Sequence, residues 1–202
     1  MRIVAIDASR RHGHVSRSVE LAARAAESAG ATVERFRLAD FDIRYCTGCG
    51  MCRFTGACKV QDDLPAIAQS IQGADGVIVG TQSYFRRPDE ATRALIDRLA
   101  SYFPDSGQLR LPGMGSSSIA PTAVAREAKR AVIITACAAP EPLATFFGYT
   151  TGPVRELRKA LGHGGIRTVG SLAVTDTWRH PEIDEWERDK ARSLGRILAG
   201  KI

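Results

Sequence analysis

At 202 residues, with 44% hydrophobic and 25% charged side chains, the chain has an ordinary globular composition that excludes disordered and fibrous classes and suits one α/β domain over residues 1–202. The formal net charge of +6 is spread over predicted helices instead of forming a block, which speaks against a nucleic-acid partner. No apolar run approaches about 20 residues and Asp7 and Arg10 interrupt the N-terminus, so neither a membrane span nor a signal peptide is expected, and a cytoplasmic location is.

The first predicted element is the uninterrupted apolar run Ile3-Val4-Ala5-Ile6, as expected of a strand buried on both faces of a parallel sheet. It opens into Ala8-Ser9-Arg10-Arg11-His12-Gly13-His14-Val15-Ser16-Arg17, and from Ser18 onward Val19, Ala22, Ala23 and Ala26 recur at helical spacing. A loop that ends at a helix N-terminus offers unpaired amides and a positive dipole end to a phosphate. The loop is neither a Walker A motif nor a Gly-x-Gly-x-x-Gly dinucleotide turn. Two hydroxyls, Ser9 and Ser16, and the guanidinium of Arg11 supply donors of the kind a phosphate takes. The segment resembles the phosphate loop of flavodoxin-like NAD(P)H-dependent FMN reductases, usually Gly-Ser-x-Arg followed by a small polar cluster. The resemblance implies that Ser9, Arg11, His14, Val15 and Ser16 hold an FMN phosphate. Ala8 stands where the family has glycine, and His14 where it has Asn or Ser.

After a helix stopped at Gly30, the alternating segment Thr32–Leu38 predicts a partly exposed edge strand. A cysteine-rich loop at 45–60 follows. It holds Cys46, Cys49, Cys52 and Cys58, four of the chain's five cysteines within thirteen positions. Such clustering suggests metal or redox chemistry in a reducing compartment. Three thiols at successive gaps of two and a fourth after five further residues suit a cubane cluster better than a structural zinc site. The run resembles the Cys-x2-Cys-x2-Cys loop of iron-sulfur flavoproteins, which implies a [4Fe-4S] cluster on these four residues. A metal-free loop of reduced thiols is the other reading, since many members of that superfamily carry a similar run without a known cluster.

Asp62 or Asp63 is placed to cap a helix with Pro65 in its first turn and Ile67, Ala68 and Ile71 on one face. Asp75–Gly80 predicts a buried third strand running into Thr81-Gln82-Ser83-Tyr84-Phe85-Arg86-Arg87-Pro88. Here the family has Gly-Ser-Pro-x-Tyr-x-Gly, then a helix with Leu-Lys-x-Leu-Ile-Asp-Arg; this chain has Thr92-Arg93-Ala94-Leu95-Ile96-Asp97-Arg98. The resemblance implies that Thr81, Gln82, Ser83, Tyr84, Phe85 and Arg86 wrap the isoalloxazine, with the tyrosine shielding one flavin face. Arg86 and Arg87 depart from the family and suggest recruitment of an anionic substrate or the 2′-phosphate of NADPH.

Residues 104–125 predict a long irregular connection rich in Gly, Pro and Ser. A fourth strand is expected at Ala131–Thr135 and, by fold analogy, the loop after it places Cys137 beside the flavin pyrimidine. Phe146, Phe147 and Tyr149 precede a helix from about Gly152 and suggest a substrate wall or a dimer contact. Ile166–Val174 is the fifth strand, His163 and His180 read as loop residues, and Glu182–Leu198 as an amphipathic helix burying Ile183, Trp186, Ala191, Leu194 and Leu198. Five strands alternating with helices predict a flavodoxin-like sandwich with a parallel sheet in the order 2-1-3-4-5. The resemblance implies an FMN-dependent oxidoreductase that takes hydride from NAD(P)H and reduces a small-molecule acceptor: a quinone, a nitro or azo compound, or free flavin. It also implies a homodimer or higher homo-oligomer. The alternatives are an electron carrier with a [4Fe-4S] cluster and, outside enzymes, a flavodoxin-fold interaction module without flavin.

Overall fold

The computed structural model describes residues 1–55, 58–102 and 129–200. The elements in chain order are β1 (Arg2–Asp7), α1 (His14–Ser28), β2 (Thr32–Arg37), α2 (Met51–Thr55), α3 (Leu64–Gly73), β3 (Gly76–Tyr84), β4 (Arg87–Pro88), α4 (Glu90–Leu99), β5 (Lys129–Ala136), α5 (Leu143–Phe146), α6 (Thr151–His163), β6 (Ile166–Val174) and α7 (Glu185–Leu198). The main sheet runs β2-β1-β3-β5-β6, all parallel, and β4 pairs antiparallel to the end of β3. With β4 set aside this is the expected 2-1-3-4-5 order, with β2 on an edge. The predicted connection at 104–125 lies outside the described residues.

The inner strands β1, β3 and β5 bury side chains on both faces, which is why they read as continuous apolar runs, while the edge strands β2 and β6 stay partly exposed. Ile3, Ala5, Ile78, Val132 and Ile134 face α1 and α7, through Ala22, Ala26, Ala191 and Leu194. Val4, Ile6, Val77, Val79 and Ile133 face α3, α4 and α6, through Ile67, Leu95 and Leu157. Helices α1 and α7 touch backbone to backbone, since a Cβ on Gly195 would run into the carbonyl of Ala22.

Several boundaries differ from expectation. Helix α1 begins at His14, not Ser18, because Gly13 serves as its N-cap. Strand β3 continues four residues past Gly80, because the hairpin with β4 supplies partners to Ser83 and Tyr84. His163 is the last residue of α6 and not a loop residue. Helix α7 starts at Glu185, after Asp184, whose carboxylate accepts the amide of Glu187 at 2.7 Å. Trp186 is 61% exposed, and its neighbour Glu187 is buried instead, at 2%. Among the described residues no helix is long and apolar enough to cross a membrane.

Candidate functional site

The carboxyl ends of β1, β3 and β5 lie side by side in the sheet, so the loops that leave them converge on one edge, where open α/β sheets hold ligands. The first loop, residues 8–13, ends at the first turn of α1. That turn contains no acidic residue, and the amides of His14, Val15 and Ser16 precede the first intrahelical bond, made by Arg17 to the carbonyl of Gly13 at 3.0 Å. Space is open beside Gly13. Arg11 is exposed and has no side-chain partner among the described residues.

Two members of the predicted phosphate set have side chains engaged within the protein. Ser9 is buried, and both its amide (2.9 Å) and its hydroxyl bond the carboxylate of Asp7, so its hydroxyl turns inward. The ring of His14 is also buried: Nδ1 meets Glu187 Oε2 at 2.7 Å and Nε2 meets the carbonyl of His180 at 2.6 Å. Ser18 donates to the other oxygen of Glu187 at 2.6 Å. The imidazole therefore anchors α1 to α7, and His14 can serve a ligand only through its amide. Val15 is buried against Gly80, leaving its amide at the helix start. Ser16 stays half-buried, its hydroxyl 3.4 Å from His12 Nδ1.

Arg37, from the end of β2, braces this loop by donating to the carbonyl of Arg10 at 3.1 Å and meeting His12 Nε2 at 3.3 Å. Arg10 reaches Glu90 at the start of α4, 3.2 Å away, which ties the first loop to the second. A groove of about 720 Å³ lies over α1, β2 and the chain before α7. Its basic lining is largely paired, Arg17 with Glu182 and Arg35 with Glu20 and Glu27.

The second loop is the hairpin from β3 to β4. Its two turn residues, Phe85 and Arg86, both have positive φ, 47° and 68°, as in a type I′ hairpin turn, where Asn and Gly are usual. Holding non-glycine residues there costs roughly 1–2 kcal/mol each, so the surroundings must brace the turn. Ser83 donates to the carbonyl of Tyr149 at 2.6 Å, and Arg87 grips Glu156 of α6 with two bonds of 3.2 and 3.1 Å. Gly152 allows the carbonyl of Arg86 to rest on the first turn of α6, where a Cβ would collide with it. Tyr84 and Phe85 meet edge to face at 5.7 Å and project outward.

Below the turn, Thr81 is buried and its hydroxyl accepts the amide of Asp89 (3.1 Å) and the hydroxyl of Thr92 (2.9 Å), so it faces the interior and not a ligand. Gln82 is exposed, its amide 3.4 Å from Asp89 Oδ2. Asp89 accepts the amide of Thr92 at 2.8 Å, and burial pushes its carboxyl up despite hydrogen bonds from Thr92, Gln82 and Thr81. At the third loop, Cys137 is buried. Its amide bonds the carbonyl of Val174 (2.8 Å), its carbonyl accepts from Thr177, and its thiol lies 3.7 Å from the carbonyl of Ala139. Burial raises its pKa, and Cys137 packs with its amide, carbonyl and thiol all engaged within the protein.

The cysteine loop is closed at its base by Arg98, the arginine of the Leu95-Ile96-Asp97-Arg98 run. Arg98 and Asp62 form an ion pair whose side chains are 1% and 0% exposed. Arg98 also donates to the carbonyls of Arg44 (3.0 Å) and Val60 (3.3 Å) and contacts the Cys58 thiol. Burial pushes Asp62 up, but Arg98 and the amides of Arg44 and Leu64 outweigh it and hold the carboxyl below its ordinary range. Asp63 is the N-cap of α3 yet makes no side-chain capping bond; it accepts from the amide of Asp42 instead. Cys46 and Cys49 are exposed, and Cys52 and Cys58 are half-buried, all as free thiols. The amide of Met51, the hydroxyl of Thr47 and the charge of Lys59 lower the pKa of Cys49. Among the described residues no three ligating side chains converge on one point. The donor chemistry is that of a cluster loop.

The profile of the NADPH-dependent FMN reductase family matches residues 1–141. The chain belongs to this family. The matched stretch contains the phosphate-loop candidate, the cysteine loop, the β3–β4 hairpin and the loop after β5. Relatives of this FMN reductase family member include an iron-sulfur flavoprotein of Archaeoglobus fulgidus, 31% identical over 93 residues, covering 46% of this chain and 42% of that protein. An iron-sulfur flavoprotein of Methanocaldococcus jannaschii is 33% identical over 99 residues, covering 48% of this chain and 51% of that protein. These matches span about half the length of either relative. In fold, the chain is similar to a flavone reductase structure with a TM-score of 0.74 at 15% identity, covering 99% of this chain and 62% of that one.

Sequence reasoning missed Asp7, His12, Arg37, Asp89 and Arg98. Asp89 carried a signal, an acidic residue directly before a helix with threonine three positions on. Arg98 carried another, since it falls on the apolar stripe Leu95, Ile96 and Leu99, where a cation needs a buried partner.

Proposed function

We propose that this protein is an FMN-dependent NAD(P)H oxidoreductase, with residues 1–202 acting as one flavin-binding domain. The observation that carries this reading is the start of α1: three amides and an Arg11 side chain without partners among the described residues, no acid in the first turn and open space at Gly13. These residues fit a dianionic phosphate. The amides of His14, Val15 and Ser16, the Ser16 hydroxyl and Arg11 would hold the FMN phosphate. The backbone of the exposed hairpin rim, Gln82 to Arg86, would hold the edge of the ring, with the side chains of Tyr84, Phe85 and Arg86 projecting outward from it. When bound, FMN supplies a two-electron relay, so that NAD(P)H, one proton and a quinone give NAD(P)⁺ and a hydroquinone.

The chain's own contribution is positional. A solvent-exposed Arg10–Glu90 contact links the first loop to the start of α4, and the buried Thr81–Asp89–Thr92 network supports the base of the hairpin. Family membership supports the cofactor, and the name of the family supports the nicotinamide donor. Clustered free thiols support a reducing, cytoplasmic compartment, and the exposed aromatics Phe146 and Phe147 support assembly into a homo-oligomer.

The cysteine loop carries a second reading, a [4Fe-4S] electron carrier, favoured by its four thiols and by the names of the matched relatives. The deciding experiment is anaerobic purification followed by an absorption spectrum, iron and sulfide assays, and NADPH and NADH oxidation with a quinone. Flavin with turnover and no iron bears out the oxidoreductase. Flavin with about four iron and four sulfide per chain and poor direct NAD(P)H oxidation replaces it with the carrier. Protein that binds no flavin overturns both.

A further inference from the structure

Adjacent arginines at the hairpin turn have opposite fates. Arg87 is neutralised by a two-bond grip on Glu156, whereas Arg86 is exposed and has no acceptor among the described residues. Its backbone is nevertheless held. It sits at φ 68° in a turn that glycine or asparagine would take without strain, and one glycine makes room for its carbonyl. Gly152 admits its carbonyl, and Gly148 lies where the Arg86 stem passes, 3.7 Å from Cδ to the position a Cβ would take. The strained turn sets where the Arg86 side chain leaves the backbone, and its stem runs beside Gly148 with the guanidinium open to solvent.

The surface beside it is aromatic. Tyr84 and Phe85 are 64% and 79% exposed, and across the Gly148 turn Phe146 and Phe147 stack edge to face at 5.1 Å. Flat apolar faces with one guanidinium at their margin suit a planar ring that carries an anionic group, because the guanidinium pairs with the anion in a fork while the rings stack. Resting on the flavin reading above, we propose that Arg86 and the Tyr84–Phe85 pair form an acceptor subsite for aromatic anions, ring systems bearing a sulfonate or carboxylate. The 2′-phosphate of NADPH fits less well. It is separated from its own redox ring by the length of a dinucleotide, while here the cation and the aromatic faces are consecutive residues.

The test compares one ring with and without the charge, using 1,4-naphthoquinone-2-sulfonate and 2-methyl-1,4-naphthoquinone. Both are assayed with FMN-supplemented wild type, Arg86→Gln and Arg86→Lys, in steady state and by calorimetric titration without nicotinamide. The expected result is a sulfonate-to-methyl ratio, in kcat/KM and in affinity, that falls about tenfold or more in Arg86→Gln, as for loss of one hydrogen bond to a charged group. Arg86→Lys should recover most of that ratio, and the wild-type preference should weaken as salt rises from 0.05 to about 0.5 M. A ratio unmoved by Arg86→Gln overturns the subsite, and so does a change confined to the NADPH-to-NADH preference. If wild type reduces neither quinone, the oxidoreductase reading fails, and the titration still decides the subsite.

Discussion

Replacing Asp62 with asparagine removes one charge from a pair that water does not reach. Both side chains are essentially unexposed, and the carboxylate accepts from Arg98 through both terminal nitrogens and from the amides of Arg44 (2.9 Å) and Leu64 (3.2 Å). Asparagine keeps the shape but turns an NH2 group toward a guanidinium and leaves Arg98 uncompensated. Breaking a buried pair this way costs about 3–5 kcal/mol, a large part of the roughly 5–15 kcal/mol that holds a domain folded. For a chain of this length each kcal/mol shifts Tm by about 2–4 °C, so a fall of roughly 6–20 °C is expected at pH 7.

Because Asp62 is held below its ordinary range in the folded protein, its contribution is present above the unfolded value of about 3.9. It is lost as pH falls through the lower folded value. The gap between wild type and Asp62→Asn should therefore narrow below about pH 4. Urea and thermal unfolding followed by circular dichroism measure both effects. A loss under about 1 kcal/mol at pH 7, or a gap that persists in acid, refutes the reasoning. Arg98 also holds Arg44 and Val60 on either side of the cysteine loop, so the variant should label Cys58 faster with a thiol reagent.

Gly152→Ala pushes a methyl into the carbonyl of Arg86; it should cost about 1–3 kcal/mol and weaken FMN binding, and unchanged FMN affinity would separate the turn from the flavin site. Asp89 is raised in the folded state, so wild-type stability should fall as pH climbs from the unfolded value through the folded one. Asp89→Asn, which keeps a capping oxygen, should abolish that falling limb in a Tm-against-pH series and be no less stable at pH 7. Glu187→Ala strands the His14 ring and the Ser18 hydroxyl in the core; a loss of about 1–3 kcal/mol with weaker FMN binding is expected, and a variant as stable as wild type contradicts the account of that network.

The inner strands β1, β3 and β5 were legible because each is buried on two faces: Ile3–Ile6, the start of β3 and the centre of β5 read directly from unbroken apolar runs, whereas β2 and β6 are only partly buried. Loop positions followed from the order of strands and helices. What sequence could not reveal were partners distant along the chain. His14 looked like a phosphate ligand until Glu187, 173 residues away, took its ring. Arg87 looked equivalent to Arg86 until Glu156, 69 residues on, neutralised it. The hairpin was missed because its turn uses Phe85 and Arg86 at positive φ, where the usual signal is glycine or asparagine. Glu187 could have been flagged: with Ala191, Leu194 and Leu198 it lies on the buried stripe of α7, and an acid there demands a donor. Trp186 was misassigned because size alone placed it inside, while the stripe runs one residue later.

The central claim is that the start of α1 holds the phosphate of FMN. It is tested most directly by titrating flavin-free protein with FMN and with riboflavin, which differ only in that phosphate, and following flavin fluorescence. The account predicts saturation near one FMN per chain, with riboflavin weaker by about a hundredfold or more, as expected from losing several charge-assisted hydrogen bonds. Equal affinity for the two, or no saturable binding of FMN, would contradict it.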